Sequence, residues 1–320
     1  MNRFGNKFRL SIFGESHGPQ MGIVVDGVPG GIPLSPEDFT EDMSRRRSGA
    51  FGTTPRREAD VVSIVSGVFN GHTTGSPICM TFANSNTKPS DYTKFESHPR
   101  PGHADFTATR RHHGYADLRG GGHHSGRVTI GLVAAGVIAK KIIEPVSVVA
   151  KIAEIGGFNP WEDALAKAAE AGDSLGGIIE CRASEMPVGI GEPFFDSLES
   201  VISHIIFAIP GVRGIEFGDG FAASRMKGSE HNDPIADQSG KTLKNGSGGI
   251  NGGISNGNDL LFRVAIKPTS SISVTQHTFN FSTGEIEELR AEGRHDTCFA
   301  LRVPVIVEAA ASIALADLLM

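Results

Sequence analysis

Residues 128–143, VTIGLVAAGVIAKKII, are apolar on almost every face of a helix, so that helix has to be buried on all sides. Gly131, Ala134, Ala135, Gly136 and Ala139 keep it thin enough to pack closely against sheets. A second apolar helix is expected from Pro304 to Leu319, with a proline at its first position. Helices of this kind need a large core, and 320 residues can supply one.

The remaining elements arrive in batches. Strand-like runs occupy 9–13, 21–26, 61–69 and 77–83, then 146–155, 176–183, 214–218 and 260–267. Asn70-Gly71 suggests a hairpin-type pairing of 61–69 with 77–83. Ser35-Pro36-Glu37-Asp38 is a strong helix start, and the helix it opens ends on Arg45, Arg46 and Arg47 before Ser48-Gly49. Further helices are expected at 161–171 and 196–208. The polar Gly/Asn-rich stretch 229–258 is long for a structureless loop and reads as a mobile lid or a ligand loop. Batches of strands and helices, in place of steady βαβ units, favour an α+β fold over a doubly wound sheet. No repeat or linker divides residues 1–320, so one domain is expected.

Hydrophobic content of 39% and charged content of 21% fit a soluble globular chain. A net charge of −6 argues against nucleic-acid binding, and the apolar runs are too short or too charged for a membrane span. Cys79, Cys181 and Cys298 are scattered and the N-terminus has no signal-peptide core, so a reducing, cytoplasmic setting is expected.

Against this acidic background, residues 98–127 hold six histidines and five arginines among glycines. Such a segment can hold an anionic small molecule and move protons around it. The turn Gly14–Gly18 exposes Ser16 and His17 side by side, and Arg45, Arg46, Arg47, Arg56 and Arg57 form a second basic group. Lys267-Pro268-Thr269-Ser270-Ser271 brings a lysine and hydroxyl donors together, suited to a phosphate or a flavin edge. There is no dinucleotide GxGxxG, no complete P-loop around Gly240-Lys241-Thr242, no metal-ligand spacing and no GxSxG elbow.

Several of these stretches also carry a resemblance. GESHGPQMGIVVDGVPGGIPLS, RRRSG, TTPRRE, VVSIVSGVFNGHTTGSPI, RPGHAD, GGGHHSGR, KPTSS and RHDTC…RVPVIVEAA resemble, in order and from end to end, the chorismate synthase family. The resemblance implies a single-domain β-α-β sandwich with helices packed between antiparallel sheets, assembled as a homotetramer. It implies a carbon–oxygen lyase of the shikimate pathway, serving aromatic amino acid biosynthesis. The reaction is a 1,4-anti elimination of phosphate from 5-enolpyruvylshikimate 3-phosphate, dependent on reduced FMN, with NADPH only as a possible flavin reductant.

By position, the resemblance makes His103 the acid at the leaving phosphate and His17 the histidine at the reduced flavin. It makes Asp296 the carboxylate that works with the flavin on the C6 proton. Substrate contacts fall on Ser16, Arg45, Arg46, Arg47, Arg56, Arg100, Ser125, Arg127 and Arg294. Flavin contacts fall on His123, His124, Ser125, Pro210, Gly211, Gly252, Lys267 to Ser271 and Arg294.

The chain departs from the family pattern at defined places. RRRSGAFGTT stands where RRRPGxSRxTT is usual, and GGGHHSGRVT where GGGRSSARET is usual. RHDT replaces RHDP, His112-His113-Gly114 replaces KYG, and the region after Lys141 is several dozen residues shorter than in familiar bacterial members. These changes touch anion and flavin contacts and spare His17, His103 and Asp296. They also leave a second reading: a diverged paralogue that binds flavin or anions, or acts on a related phosphorylated ring.

Overall fold

The computed structural model describes residues 2–56, 58–85, 89–291, 293 and 295–320. Two antiparallel sheets enclose a layer of helices, as expected. The first sheet runs in the order Arg3–Phe4, Arg9–Gly14, Gln20–Asp26, Ile78–Ala83, Ser63–Ser66. Its register sets Met21 against Phe82, Ile23 against Met80 and Val25 against Ile78. All six are buried, because alternate residues of a strand share a face. The second sheet runs Val212–Phe217, Leu260–Ile266, Gly177–Ser184, Ser147–Ile155. Leu260, Phe262, Val264 and Ile266 form its buried row.

The helix Ile130–Ile142 and the C-terminal helix Pro304–Leu319 lie against each other inside this sandwich. Gly131 packs on Ile23 of the first sheet. Gly136 packs on Ala309 so closely that a Cβ there would overlap that residue, which explains the small side chains along the helix. The C-terminal helix contacts the second sheet, where its buried Glu308 accepts the Ala150 N–H at 2.8 Å. Thr40–Arg46 and Leu198–Ile206 complete the inner helices, and Glu162–Glu170 lies outside them.

Several expectations need correction. Residues 61–69 are not one strand: Gly67, at φ +82°, separates Ser63–Ser66 from Val68–Phe69. Asn70-Gly71 turns the small hairpin Val68–Phe69/His72–Thr73, while Ser63–Ser66 does pair with Ile78–Ala83. Within residues 98–127, Asp105–Arg111 forms a helix that was not anticipated. A hairpin, Gln276–Asn280 with Glu285–Leu289, was not anticipated. The stretch 229–258 is tied to itself: Asp233 accepts the N–H groups of Gly246 and Ser247, and Asn245 bonds Gly249 and Asp259. It does not line the cavity described next, as a lid or ligand loop of this chain would.

Candidate active site

A cavity of about 1150 Å³ opens between the turn after Arg9–Gly14, the end of Thr40–Arg46, residues 100–107 and 120–129, and the loops flanking the second sheet. Nine arginine and lysine side chains line it among the described residues, against three carboxylates, Glu58, Asp60 and Asp296. The chain as a whole is at −6, so the positive charge has been gathered here.

Asp60 organises one wall. It is held at φ +52° and divides its carboxylate between two buried guanidiniums, with Arg46 Nη1 at 3.1 Å on Oδ2 and Arg127 Nη1 on Oδ1. Arg46 also donates to the carbonyls of Gly126 and Arg127, at 3.2 and 2.9 Å. Burial pushes the Arg46 guanidinium down to about 9; Asp60 opposes the shift and the charge of Arg127 adds to it. Arg46 Nε and Arg127 Nη2 are buried without a hydrogen-bond partner, so this wall has donors to spare.

Beside it, Arg56 donates to Glu58 Oε1 (2.8 Å from Nη2) and to the hydroxyl and carbonyl of Ser16, at 3.1 and 3.2 Å. Burial would raise the Glu58 carboxyl, but hydrogen bonds from Arg56 and Ser85 outweigh it and hold the group at about 2. Ser16 is thereby fixed at the cavity edge.

His103 is set by the next layer. Its Nδ1 lies 2.6 Å from Asp105 Oδ1 and 3.1 Å from Arg100 Nη2. The Asp105 carboxylate only accepts and is the nearer partner, so the Nδ1 proton points to it and Nε2 is left beside Gly121 for the cavity. Arg100 grips Asp105 with Nε and Nη2, both at 2.8 Å, donates to Ser271 Oγ at 2.9 Å, and lies 4.4 Å over the Phe95 ring. Burial pushes the His103 imidazole down, Asp105 opposes this, and Arg100 and Lys267 add to it. The balance favours the neutral ring.

Gly120, Gly121 and Gly122 all have φ between +54° and +83°. A Cβ on Gly120 would run into the His17 ring, and one on Gly122 into the Asp117 carbonyl. Glycine is required by both conformation and space. The three residues cover His17, which is buried edge-on to Tyr92 with Nδ1 3.3 Å from Ser16 Oγ. The same loop delivers His123, whose Nδ1 donates to the Gly14 carbonyl at 2.8 Å, and His124, which lies beside His112. Burial pushes His124 down, and the neighbouring imidazoles of His123, His112 and His103 reinforce the effect.

The opposite wall is the turn after Leu260–Ile266. Lys267 Nζ bonds Ser270 Oγ at 2.8 Å and the Gly102 carbonyl, while Thr269 Oγ1 is buried with no partner. Asp296 accepts the Thr54 N–H at 2.8 Å on one oxygen and Arg302 Nη2 at 2.6 Å on the other.

Most expected residues therefore converge. Ser16, Arg46, Arg47, Arg56, Arg100, His103, His123, His124, Ser125, Arg127, Pro210, Gly211, Lys267 to Ser271 and Asp296 line the cavity, and His17 lies just behind Gly120. Arg45 does not reach it, because it forks onto Glu308 at 2.7 and 2.6 Å inside the helix layer. Gly252 does not either: it turns the small hairpin Ile250–Asn251/Ile254–Ser255 and faces open space. Arg294 and Arg57 lie outside the described residues. Reading by composition missed Glu58, Asp60 and Arg302, which hold the expected residues. Lone acids among arginines (RREAD) were the available signal, since arginines this close need a counter-ion.

A β-α-β sandwich holding a deep basic pocket, with an aspartate-oriented histidine and a second carboxylate on its walls, defines an enzyme for a small polyanion. The chain belongs to the chorismate synthase family: the family model "Chorismate synthase" matches residues 8–320. It is 58% identical over 321 residues to the chorismate synthase of Chitinophaga pinensis, covering 100% of this chain and 97% of that one. It is 46% identical over 349 residues to the chorismate synthase of Dehalococcoides mccartyi, covering 99% and 96%. A solved structure, "Crystal Structure of Chorismate Synthase", superposes with a TM-score of 0.77 at 24% identity over 99% of this chain and 92% of that one, a likeness in fold. The Chitinophaga alignment, at 321 columns, adds almost nothing to the 320 residues, whereas the Dehalococcoides alignment runs to 349.

Proposed function

We propose that this chain eliminates phosphate from 5-enolpyruvylshikimate 3-phosphate to give chorismate, with reduced FMN bound in the same cavity. The observation that carries this is the pairing of surplus buried donors with two proton-handling groups in one space. Arg127 Nη2, Arg46 Nε and Thr269 Oγ1 have no protein partner, while His103 and Asp296 share the cavity with them. A ligand bearing carboxylates and phosphates would satisfy those donors, and the cavity volume suits a flavin together with a small ring. The residues therefore fit the flavin.

When bound, reduced FMN supplies an electron-rich ring for the difficult C–H cleavage. The chain's own residues do the rest. Arg46, Arg47, Arg56 and Arg127 bind the substrate's anionic groups, and Ser16 and Ser125 orient it. Lys267 to Ser271, Pro210, Gly211, His123 and His124 would hold the flavin. The neutral His103 takes up a proton when a phosphate dianion arrives, because a nearby negative charge raises its pKa, and passes it to the leaving phosphate from Nε2. Asp296, held by Thr54 and Arg302, receives the proton removed from the substrate ring. His17, under the glycine loop, would stand as a proton or hydrogen-bond donor toward the flavin edge.

We further propose that residues 1–320 act as one domain, in a homotetramer, in the cytoplasm, with an external source of reduced flavin. Among the described residues no helix is long and apolar enough to cross a membrane. Omitting FMN tests the chemistry: an elimination of this type stops without it, whereas a phosphatase would continue to release phosphate.

A further inference from the structure

Arg213 lines the same cavity and is exposed. It belongs to the edge strand Val212–Phe217 of the second sheet. That strand pairs Val212 with Ile266 and Gly214 with Ala265, so Arg213 is an extra residue opposite no partner of its own. The insertion is a β-bulge, which lets Val212 and Ile215 both face the core and turns the intervening side chain out of the regular alternation. The bulge follows directly on Pro210-Gly211, and Lys267 N–H is anchored to the Gly211 carbonyl at 2.8 Å. Arg213 and Lys267 therefore flank one short stretch of backbone.

No carboxylate pairs with Arg213 among the described residues, in contrast to Arg46, Arg56, Arg100, Arg127 and Arg302. Its charge reaches Lys267, whose ammonium is pushed down first by burial and then by Arg213. Two neighbouring cations without a carboxylate partner repel, and an oxyanion bound by both would relieve the repulsion. Thr269 Oγ1, buried with no partner, lies on the same wall.

We propose that Arg213 is an anion-binding residue, presented by its β-bulge to grip the phosphate monoester of a ligand lying between Pro210-Gly211 and Lys267–Ser271. The inference rests on the reading that a phosphorylated ligand enters this cavity. The phosphate can come from the flavin or from the ring substrate, and the experiment distinguishes them.

The full-length protein and its Arg213→Met and Arg213→Lys variants are compared in three measurements. These are FMN and riboflavin binding by fluorescence quenching, the substrate KM, and the rise in melting temperature with added inorganic phosphate. If Arg213 holds the flavin phosphate, Arg213→Met weakens FMN binding at least tenfold and leaves riboflavin unchanged. If it holds the substrate phosphate, FMN binding is unchanged and KM rises at least tenfold. In both cases Arg213→Met loses at least half of the phosphate-induced shift, and Arg213→Lys keeps most of it and shows that the edge strand still folds. Equal FMN binding, KM and phosphate shift in wild type and Arg213→Met overturn the proposal while leaving the functional reading intact. A wild type that binds neither FMN nor substrate, yet shows an Arg213-dependent phosphate shift, sinks that reading and leaves the proposal standing.

Discussion

His103 Nδ1 and Asp105 Oδ1 lie 2.6 Å apart, which fixes the imidazole as the tautomer with Nε2 free toward the cavity. Asp105 is itself clamped by Arg100, which rests on Phe95, so the ring's orientation traces back to a small separate cluster of Phe95, Leu289 and Ala291. Asp105→Asn would present an amide to Nδ1 and favour the wrong tautomer. Turnover is expected to fall by about 10²-fold or more, with a smaller change in KM, as steady-state kinetics would measure. His103→Ala and Asp296→Ala should each reduce turnover strongly as well. Full rate in both variants would remove them from the chemistry.

The depressed pKa of His103 gives a pH dependence with a definite sign. In the ligand-free protein its NMR titration should fall below the ordinary histidine value of 6.5, and inorganic phosphate should move it upward. The folded state resists this proton, so the contribution to stability is present above the unfolded pKa and is lost as pH drops below about 6.5. Glu58 acts lower on the scale: its folded value near 2 protects the fold above its unfolded value near 4.5 and loses that effect as pH falls toward 2. Melting temperature measured from pH 7 to 3 should therefore decline in two ranges, and Glu58→Gln should flatten the lower one.

Asp60 is the shared counter-ion of Arg46 and Arg127. Asp60→Asn leaves two buried guanidiniums facing each other, and removing one partner of a buried pair costs about 3–5 kcal/mol. Denaturant unfolding should show a loss of that order, partly recovered by added phosphate, since an anion can replace the missing charge.

Gly120→Ala places a methyl in a left-handed conformation and against the His17 ring. The conformation alone costs about 1–2 kcal/mol. The overlap should further displace His17 or the loop, so flavin-dependent turnover is expected to fall more than the melting temperature implies.

How far the chain could be read in advance depended on where each signal was stored. The two all-apolar helices, the alternating strands and the Ser35 helix start are local patterns, and they mark the sandwich well. The helix Asp105–Arg111 was hidden because its short sequence, DFTATRR, is flanked by Pro-Gly and paired histidines that read as loop. The hairpin around residues 280–285 is largely exposed, so it carries little of the apolar alternation that marks a half-buried strand. At the site, residue type and motif marked the cations and histidines. They could not mark which acid holds which arginine: Arg45 turns to Glu308, 263 residues away, and Arg46 to Asp60, 14 away. Those choices are made by tertiary packing.

The proposed elimination is tested most directly by phosphate release and chorismate formation under anaerobic conditions, with and without dithionite-reduced FMN. One phosphate per chorismate is expected with the flavin, and neither product without it. No chorismate at saturating reduced flavin, or phosphate release that ignores the flavin, would contradict it.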